Sequence, residues 1–297
     1  MLEKNLLVSV IVATFNSRTT ILETLESIKK QTYKNIELII TDDCSTDDTV
    51  SICSQWLNMN GHLFVHHQLL TVPENTGIPA NCNRALKAAK GIWIKFIAGD
   101  DTLKENCIEI NMDYVTSNNE IEILQTDADL YLETFDAENY KRKLPIDFKD
   151  FFDIENGKIQ HKFIKNIGNA ICSPSIFIKK ITVEKAGGFD ERYRFMEDLP
   201  LWLKLTEMNI KFYYLPISTV NYRSHDKSIA RNGKKYMDTL FAKNYIFFLE
   251  SYFPKKERSL RIKRNIIKHN CILILDKIGL NNHSKFSALV YAVINRI

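Results

Sequence analysis

Two acidic pairs in this chain are the residues that could most readily do chemistry. Asp100 and Asp101 follow the apolar run at 93–98. Glu197 and Asp198 precede a segment with the apolar periodicity of a helix. Carboxylate oxygens are the ligands that hard divalent cations prefer, and a carboxylate can also take the proton of an attacking hydroxyl. Each pair also has a structural explanation, because aspartate favours turns and helix caps, and acidic residues stabilise helix N-termini.

The elements that must position these pairs follow from an alternation of strands and helices in the first half of the chain. Apolar runs predict strands at 7–14, 36–41, 62–70, 93–98 and 121–126, and amphipathic segments predict helices at 19–31, 47–59, 79–90 and 105–117. This alternation predicts an α/β fold with a mostly parallel central sheet flanked by helices. Ligands bind beyond the carboxyl ends of such strands, where Asp42–Asp43 and Asp100–Asp101 are expected.

The second half of the chain is less regular. Residues 129–165 mix Phe, Asp and Lys without a clear period, and we interpret them as an irregular excursion with one or two helices. Strands are predicted at 172–178, 211–215 and 219–223, a helix at 197–208, and only helices beyond residue 233.

The composition excludes several classes of protein. With 45% hydrophobic and 26% charged residues, the 297-residue chain has the profile of a globular protein. A formal net charge of +4 is too small to indicate a nucleic-acid partner. Six cysteines without a C-x-x-C pair predict free thiols in a reducing, cytoplasmic setting rather than disulfides or a zinc site. No run reaches the roughly 18 apolar residues that a membrane span needs.

The C-terminal third carries most of the basic character. Its basic residues include Lys255, Lys256, Arg258, Arg261, Lys263, Arg264 and Lys268. Apolar residues interleave with them, and a short apolar stretch follows at 286–294. This pattern is typical either of a solvated helix face or of a helix that lies on a membrane surface, so peripheral membrane contact is one hypothesis.

A set of short motifs occurs in a fixed order between residues 5 and 230. They are VSVIVATFN at 8–16, IITDDCSTD at 39–47, NTG at 75–77, NRA at 83–85, AGDD at 98–101, GGFD at 187–190, ED at 197–198 and YRSH at 222–225. Each motif is weak alone, but the ordered set resembles family 2 glycosyltransferases, which are inverting enzymes with the GT-A fold. The resemblance implies a glycosyltransferase domain at 1–230 and a helical extension at 231–297. Within the domain it implies a nucleotide-sugar-binding part at 1–128 and an acceptor-binding part at 129–230.

The resemblance implies a divalent cation, Mn²⁺ or Mg²⁺, at the strand end that carries AGDD. A cation bridging the diphosphate stabilises the charge that develops as that group leaves. Asp100 matches the second aspartate of the family's D-x-D signature and is the expected ligand, with Asp101 beside it. Ala98 occupies the first position of that signature, so one carboxylate of the common pattern is missing.

The nucleotide is expected to bind at the ends of the first two strands. The resemblance gives Asp43 a hydrogen bond to the base, lines the pocket with Thr14 and Asn16, and places Asp100 by the diphosphate. Turn formation is an alternative explanation for the aspartates at 42–43. Arg84, on a predicted helix near the pocket, could pair with the diphosphate or could be a solvated helix charge.

Inversion needs a base on the side of the sugar opposite the leaving group. Asp198 matches the family's Glu-Asp motif and is the expected base, with Glu197 orienting Asp198 or the acceptor. His225 precedes a polar loop that extends to Arg231. It is interpreted either as a residue near the metal or as a surface histidine.

The family also suggests the substrates and the setting. The expected donor carries a hexose or N-acetylhexosamine, with UDP as the family-level nucleotide. The expected acceptor is a lipid-diphosphate-linked saccharide, as in bacterial O-antigen and other surface polysaccharide synthesis, and the expected location is the cytoplasm or the inner face of the cell membrane.

Two other functions remain open at this stage. A sugar nucleotidyltransferase would need a Gly-rich phosphate loop near the N-terminus, whereas residues 14–17 read TFNS. A non-catalytic binding protein is favoured by Ala98 and disfavoured by the presence of Asp100, Asp101 and Asp198. A dinucleotide-dependent oxidoreductase is excluded because no G-x-G-x-x-G follows a predicted strand.

Overall fold

The computed structural model describes residues 5–145, 150–225 and 237–294, and it confirms the α/β fold class. The strands are β1 (Val8–Thr14), β2 (Ile36–Asp42), β3 (His66–Leu70), β4 (Trp93–Ala98), β5 (Thr102–Leu103), β6 (Ile123–Leu132), β7 (Tyr140–Leu144), β8 (Ile176–Lys179) and β9 (Phe212–Ser224). The helices are α1 (Ile21–Lys29), α2 (Thr49–Asn60), α3 (Ile78–Ala88), α4 (Cys107–Ser117), α5 (Asp150–Asp153), α6 (Gly157–Asn166), α7 (Lys180–Lys185), α8 (Asp198–Glu207), α9 (Thr239–Tyr252), α10 (Leu260–Lys277) and α11 (Lys285–Ile294).

The described strands form one sheet in the order β3-β2-β1-β4-β8-β6-β9-β5, with β7 paired to β6. The first four strands are parallel, β6 is parallel to β9, and β8 is antiparallel to both of its neighbours. Thr14 pairs with Asp42, and Ala13 pairs with Ala98. The loops after β1, β2 and β4 therefore leave the sheet side by side, at the edge where ligands were expected.

The apolar runs of β1 and β2 are buried because helices cover both faces of the sheet. Val10 and Val12 belong to the cluster that contains Leu25 of α1. Ile11 faces the other way and packs in the cluster that contains Ala85 of α3 and Leu201 of α8. Burial of each such side chain stabilises the fold by about 1.5–3 kcal/mol, which makes the parallel half a rigid base for its terminal loops.

The structure corrects the predicted elements in several places. The region predicted to be irregular from residue 129 begins with ordered sheet, since β6 continues to Leu132 and pairs with β7. The strands predicted to begin at residues 62 and 172 begin at His66 and Ile176, each after a 3-10 turn. The two strands predicted at 211–215 and 219–223 are one strand, β9, whose register with β6 shifts near Pro216. Residue 128, the predicted division between the donor and acceptor parts, lies inside β6, so both parts share one sheet.

The described C-terminal residues, 239–294, confirm the predicted helical extension. Ala242, Ile272 and Tyr291 bring α9, α10 and α11 into a small apolar cluster of their own. Within the described ranges, every helix is too short or too polar to cross a bilayer. All six cysteines are free thiols, as the sequence predicts.

Candidate active site

The ends of β4 and β9 bring together two of the predicted metal-binding residues. His225, the first residue after β9, places its Nε2 atom 2.9 Å from Asp100 Oδ2 in the loop after β4. The Asp100 side chain is 30% exposed and that of His225 is 18% exposed, so both reach solvent. The polar loop predicted after His225 lies almost entirely outside the described residues.

Asp101, the other predicted ligand, is buried and holds β9 in place. Its Oδ1 atom accepts a hydrogen bond of 2.8 Å from the backbone N–H of Arg223. Burial, followed by the charge of Asp100, raises the pKa of Asp101 well above its usual range. Only 1% of Asp101 is exposed. Its carboxyl therefore holds the neighbouring backbone in place beneath Asp100 rather than facing solvent.

Arg223 ties the loop after β4 to its surroundings. Its Nε atom donates to the backbone carbonyl of Asp100 at 2.7 Å, and its guanidinium also bonds to Glu23 and to the carbonyl of Glu133. The guanidinium lies 4.0 Å from the ring centroid of Phe135. An arginine guanidinium has five N–H donors in a planar arrangement, so one side chain can form all of these bonds at once. The sequence analysis quoted Arg223 within a motif but assigned it no role.

Asp43 organises the loop at 73–77, which faces the end of β2. Its Oδ1 accepts from the backbone N–H of Thr76 at 3.0 Å and from the Thr76 hydroxyl at 2.5 Å, while Oδ2 accepts from the Gly77 N–H at 2.7 Å. Gly77 has φ +93°, and a Cβ there would lie 2.5 Å from Arg194 Cγ. The predicted base-binding aspartate therefore uses both carboxylate oxygens to position its neighbouring loop.

Arg84 joins the same network from α3. Its Nη1 donates to Asn81 Oδ1 at 2.7 Å, and its Nη2 donates to the Thr76 hydroxyl at 2.9 Å and lies 3.5 Å from Asp43 Oδ1. Arg84 is thus not simply a solvated helix charge, and its pairing with the diphosphate stays a prediction. Its hydrogen bonds stabilise the pocket wall, which is the side of the predicted nucleotide pocket that Asp43 and Thr76 form.

Thr14 and Asn16 lie at the end of β1, beside that wall. The Asn16 side chain accepts from the backbone N–H of Thr46 at 2.8 Å and so joins the loops after β1 and β2. Thr14 is buried, and its hydroxyl has no hydrogen-bond partner among the described residues. Between them, Phe15 is 48% exposed. An exposed aromatic ring beside a predicted nucleotide pocket offers a surface on which a base can stack, and the sequence analysis did not single it out.

Asp198 begins α8 and carries two hydrogen bonds. Its Oδ2 accepts from the Ser173 hydroxyl at 2.8 Å, and its Oδ1 accepts from the backbone N–H of Leu199 at 2.6 Å. Burial, followed by the charge of Asp198, raises the pKa of the adjacent Glu197 to about 8. Glu197 therefore keeps its proton to higher pH than an ordinary carboxyl group and can donate a hydrogen bond.

Tyr222, near the end of β9, connects the two acidic centres. Burial raises the pKa of its phenol, and the charges of Asp101, Asp100 and Asp198 raise it further. The Asp100–His225 pair and Asp198 therefore lie within electrostatic reach of one side chain, although they are far apart in the chain. No local pattern singled out Tyr222.

The comparisons with known proteins agree with this geometry. The family model described as "Glycosyl transferase family 2" matches residues 9–182. A UDP-Glc:alpha-D-GlcNAc-diphosphoundecaprenol beta-1,3-glucosyltransferase, WfaP of Escherichia coli, is 30% identical over 235 residues, which cover 77% of this chain and 82% of that protein. This chain belongs to glycosyl transferase family 2. The sequence-based resemblance is thereby confirmed, and the family and its relatives support glycosyltransferase activity rather than nucleotidyl transfer.

Other relatives place this glycosyltransferase among enzymes of similar size and fold. The putative glycosyltransferase EpsE of Bacillus subtilis is 27% identical over 231 residues, which cover 77% of each chain. The crystal structure of S. aureus TarS 1–349 in complex with UDP-GlcNAc superposes with a TM-score of 0.61 over 88% of this chain and 70% of that one. At 18% identity this similarity concerns the fold, and it confirms the GT-A architecture of the family member described here.

Proposed function

We propose that this glycosyltransferase moves a hexose or N-acetylhexosamine from a UDP-sugar to a hydroxyl of a lipid-diphosphate-linked saccharide, with inversion. The convergence of the Asp100–His225 pair and Asp198 around Tyr222 carries the proposal. It places a pair that could hold a cation and a separate candidate base around one side chain. The activity of WfaP and the ligand of the TarS complex support UDP as the nucleotide, and the acceptor of WfaP supports the acceptor class.

The donor would lie along the carboxyl edge of the parallel strands. The exposed ring of Phe15 is available for stacking on the base, beside the wall that Asp43, Thr76 and Arg84 brace. Because hydrogen bonds within this wall occupy the Asp43 carboxylate, its contribution to nucleotide affinity is to hold the pocket's shape.

The transfer itself is a single displacement at the anomeric carbon. The acceptor oxygen attacks that carbon, its proton passes to the Asp198 carboxylate, and the bond to the diphosphate oxygen breaks with the electron pair leaving on UDP. Protonated Glu197, next to Asp198, can donate a hydrogen bond to the acceptor or to its neighbour.

A divalent cation fits the Asp100–His225 pair. The described residues contain no group of three or more His, Cys, Asp or Glu side chains that could hold a metal ion by themselves. Mg²⁺ sites on phosphorylated substrates commonly use only one or two carboxylates together with the phosphates, so the Asp100 carboxylate, with the His225 imidazole beside it, could supply the protein's share of such a site. When bound, Mn²⁺ or Mg²⁺ would neutralise charge on the diphosphate.

Nucleotide binding tests the donor site. We would titrate the purified protein calorimetrically with UDP, GDP, ADP and dTDP, with and without Mn²⁺, beside Asp100→Ala and a control, Asp113→Ala, at an exposed position of α4. The expected result is Mn²⁺-dependent binding of UDP that Asp100→Ala removes and Asp113→Ala retains. No binding of any nucleotide would overturn the assignment of this edge as the donor site.

Product analysis tests the reaction. UDP-glucose and UDP-N-acetylglucosamine would each be supplied with a GlcNAc-diphosphate-lipid acceptor, and the anomeric configuration of the product would be read by NMR. A β-linked product from these α-configured donors is expected. Transfer only to water, or an α-linked product, would contradict the proposal.

We further propose that the C-terminal helices hold the enzyme at the inner face of the membrane that carries the acceptor. On α11, Phe286, Leu289 and Val293 are 60%, 66% and 59% exposed and share one face. On α10, the exposed Leu260, Ile267 and Ile274 recur at seven-residue intervals. Exposed basic residues accompany these stripes at Lys263, Arg264, Lys277 and Lys285. Apolar faces flanked by cations match an anionic lipid surface.

Vesicle flotation tests this contact. The protein should float with phosphatidylglycerol vesicles and less with phosphatidylcholine vesicles. Phe286→Ser/Leu289→Ser should weaken flotation, whereas Met59→Ser/Val65→Ser, which alters exposed apolar residues elsewhere, should not. Equal flotation of all variants, or none by the unaltered protein, would remove the membrane proposal without affecting the nucleotide site.

A further inference from the structure

A 3-10 turn at Ser173–Ser175 lies between the sheet and the first residue of α8. Hydrogen bonds hold its backbone from several sides. The Cys172 N–H donates to Gln125 Oε1 at 2.9 Å, and the Ser175 N–H donates to the Cys172 carbonyl at 3.0 Å. The Ser173 hydroxyl extends from this turn toward α8 and donates a hydrogen bond to Asp198.

Lys95 holds the turn from the middle of β4. The residue is 0% exposed, and its Nζ donates to the carbonyl of Pro174 at 2.7 Å and lies 3.4 Å from that of Ile176. Burial lowers the pKa of Lys95. An apolar side chain would fill this site without the cost of burying an amine, so the amine's distinctive contribution is its bond to Pro174.

We propose that Ser173 is a positioning residue for the reaction, which orients the Asp198 carboxylate through its hydroxyl, and that Lys95 acts through Ser173 by holding the turn. This inference rests on the proposed function, because it takes Asp198 as the base.

The geometry explains what Ser173 contributes. The Leu199 N–H binds Oδ1 and the Ser173 hydroxyl binds Oδ2, so the plane of the Asp198 carboxylate is set from both sides. The bond to Ser173 therefore fixes the direction in which Oδ2 faces, and with it the orientation in which the carboxylate meets an acceptor hydroxyl.

Among the described residues, the Ser173 hydroxyl and the Leu199 N–H are the hydrogen-bond donors to Asp198. Glu197 precedes it, and the phenols of Tyr222 and Tyr245 lie near enough for the charge of Asp198 to raise their pKa values. Neither phenol is a hydrogen-bond donor to Asp198 in the structure. Loss of the Ser173 hydroxyl would therefore leave Oδ2 without its described donor.

Kinetics of Ser173 variants test the inference. Ser173→Ala should lower kcat about 10- to 100-fold, the range expected for loss of a hydrogen bond to a charged group. The KM for the donor and the affinity for UDP should not change. Ser173→Thr should restore most of kcat, because it returns a hydroxyl to the same position. Ser117→Ala, at an exposed hydroxyl on α4, is the matched control.

Asp198→Asn separates failure of this inference from failure of the proposed function. If Asp198→Asn keeps its activity, the base assignment is wrong. If Asp198→Asn is inactive while Ser173→Ala matches the unaltered enzyme, the base stands and the positioning role is wrong. A fall in UDP affinity equal to the fall in kcat would also overturn the positioning role.

Lys95→Met tests whether Lys95 acts through Ser173. Its loss of kcat should resemble that of Ser173→Ala, and adding it to Ser173→Ala should cause little further loss, because both act through one hydrogen bond. Additive losses would refute the link between Lys95 and Ser173. Should Lys95→Met fail to fold, Lys95→Arg, which keeps a donor, provides the comparison, and the Ser173 variants decide the main inference independently.

Discussion

His225 and Asp100 form a hydrogen-bonded pair, with Nε2 and Oδ2 2.9 Å apart, although they belong to loops after two different strands. Arg223 stabilises this pair through two hydrogen bonds. Its Nε donates to the Asp100 carbonyl, and its backbone N–H donates to the Asp101 carboxylate. The exposed edge of the site is thus a small carboxylate–imidazole centre on a rigid, buried support.

The imidazole of His225 should matter for cation-dependent nucleotide binding. We expect His225→Ala to weaken UDP binding about 10-fold in Mn²⁺, since loss of one of two ligands removes part of the site's affinity. Binding without the metal should change little. Calorimetry with and without Mn²⁺ measures both. His66→Ala, at an exposed histidine of β3, should behave as the unaltered protein; equal losses with and without metal would argue against a ligand role.

Asp43 should contribute to stability as much as to binding. Asp43→Asn replaces one carboxylate oxygen with an amide nitrogen. That nitrogen cannot accept the hydrogen bond that the N–H of Thr76 or of Gly77 now donates to the carboxylate. We expect a loss of about 1–3 kcal/mol in the free energy of unfolding, measured by urea denaturation. Glu74→Gln, at an exposed position in the same loop, should have no effect; an unchanged stability of Asp43→Asn would show that the loop does not depend on this carboxylate.

A side chain at position 77 should lower the stability of the folded protein. Gly77→Ala combines a left-handed backbone with a Cβ placed 2.5 Å from Arg194 Cγ and 2.9 Å from the Arg194 carbonyl oxygen. Gly279→Ala is the matched control, because φ there is +74° and a Cβ meets nothing within 4 Å. Gly279→Ala should lose about 1–2 kcal/mol from backbone strain, and Gly77→Ala should lose more, because φ +93° with ψ 163° is a conformation essentially restricted to glycine and because its Cβ meets Arg194. Equal thermal shifts would show that the contact with Arg194 is unimportant.

Glu197 should make the folded protein less stable as the pH rises. Its pKa is raised to about 8 in the folded state, from 4.5, so between these values the folded protein binds a proton that the unfolded chain does not. The stability that this group contributes is present below pH 4.5 and is lost as the pH rises toward 8. Relative to Glu197→Gln, the unaltered protein should therefore lose several degrees of Tm between pH 5 and pH 8. A difference that stays constant with pH would contradict the raised pKa.

Much of the site could be predicted because its residues follow strands with strong local patterns. The apolar runs of β1, β2 and β4 indicated a parallel sheet, and the aspartates after β2 and β4 were expected at its carboxyl edge. The family and the fold class are confirmed. The roles of Asp198 as base and of Asp100 as metal ligand stay predictions, and so does membrane contact.

The sequence by itself determined which elements form and which of their ends carry polar residues, because periodicity and turn chemistry are local properties. Only the tertiary structure decided what each polar group does. It buried Asp101 under Arg223, engaged Asp43 and Arg84 with Thr76, and placed Ser173 against Asp198. Except for the bond between Arg84 and Thr76, each of these bonds joins residues at least 25 positions apart in the chain. Their partners depend on the order of strands in the sheet and on the packing of α3 and α8, which local pattern does not encode.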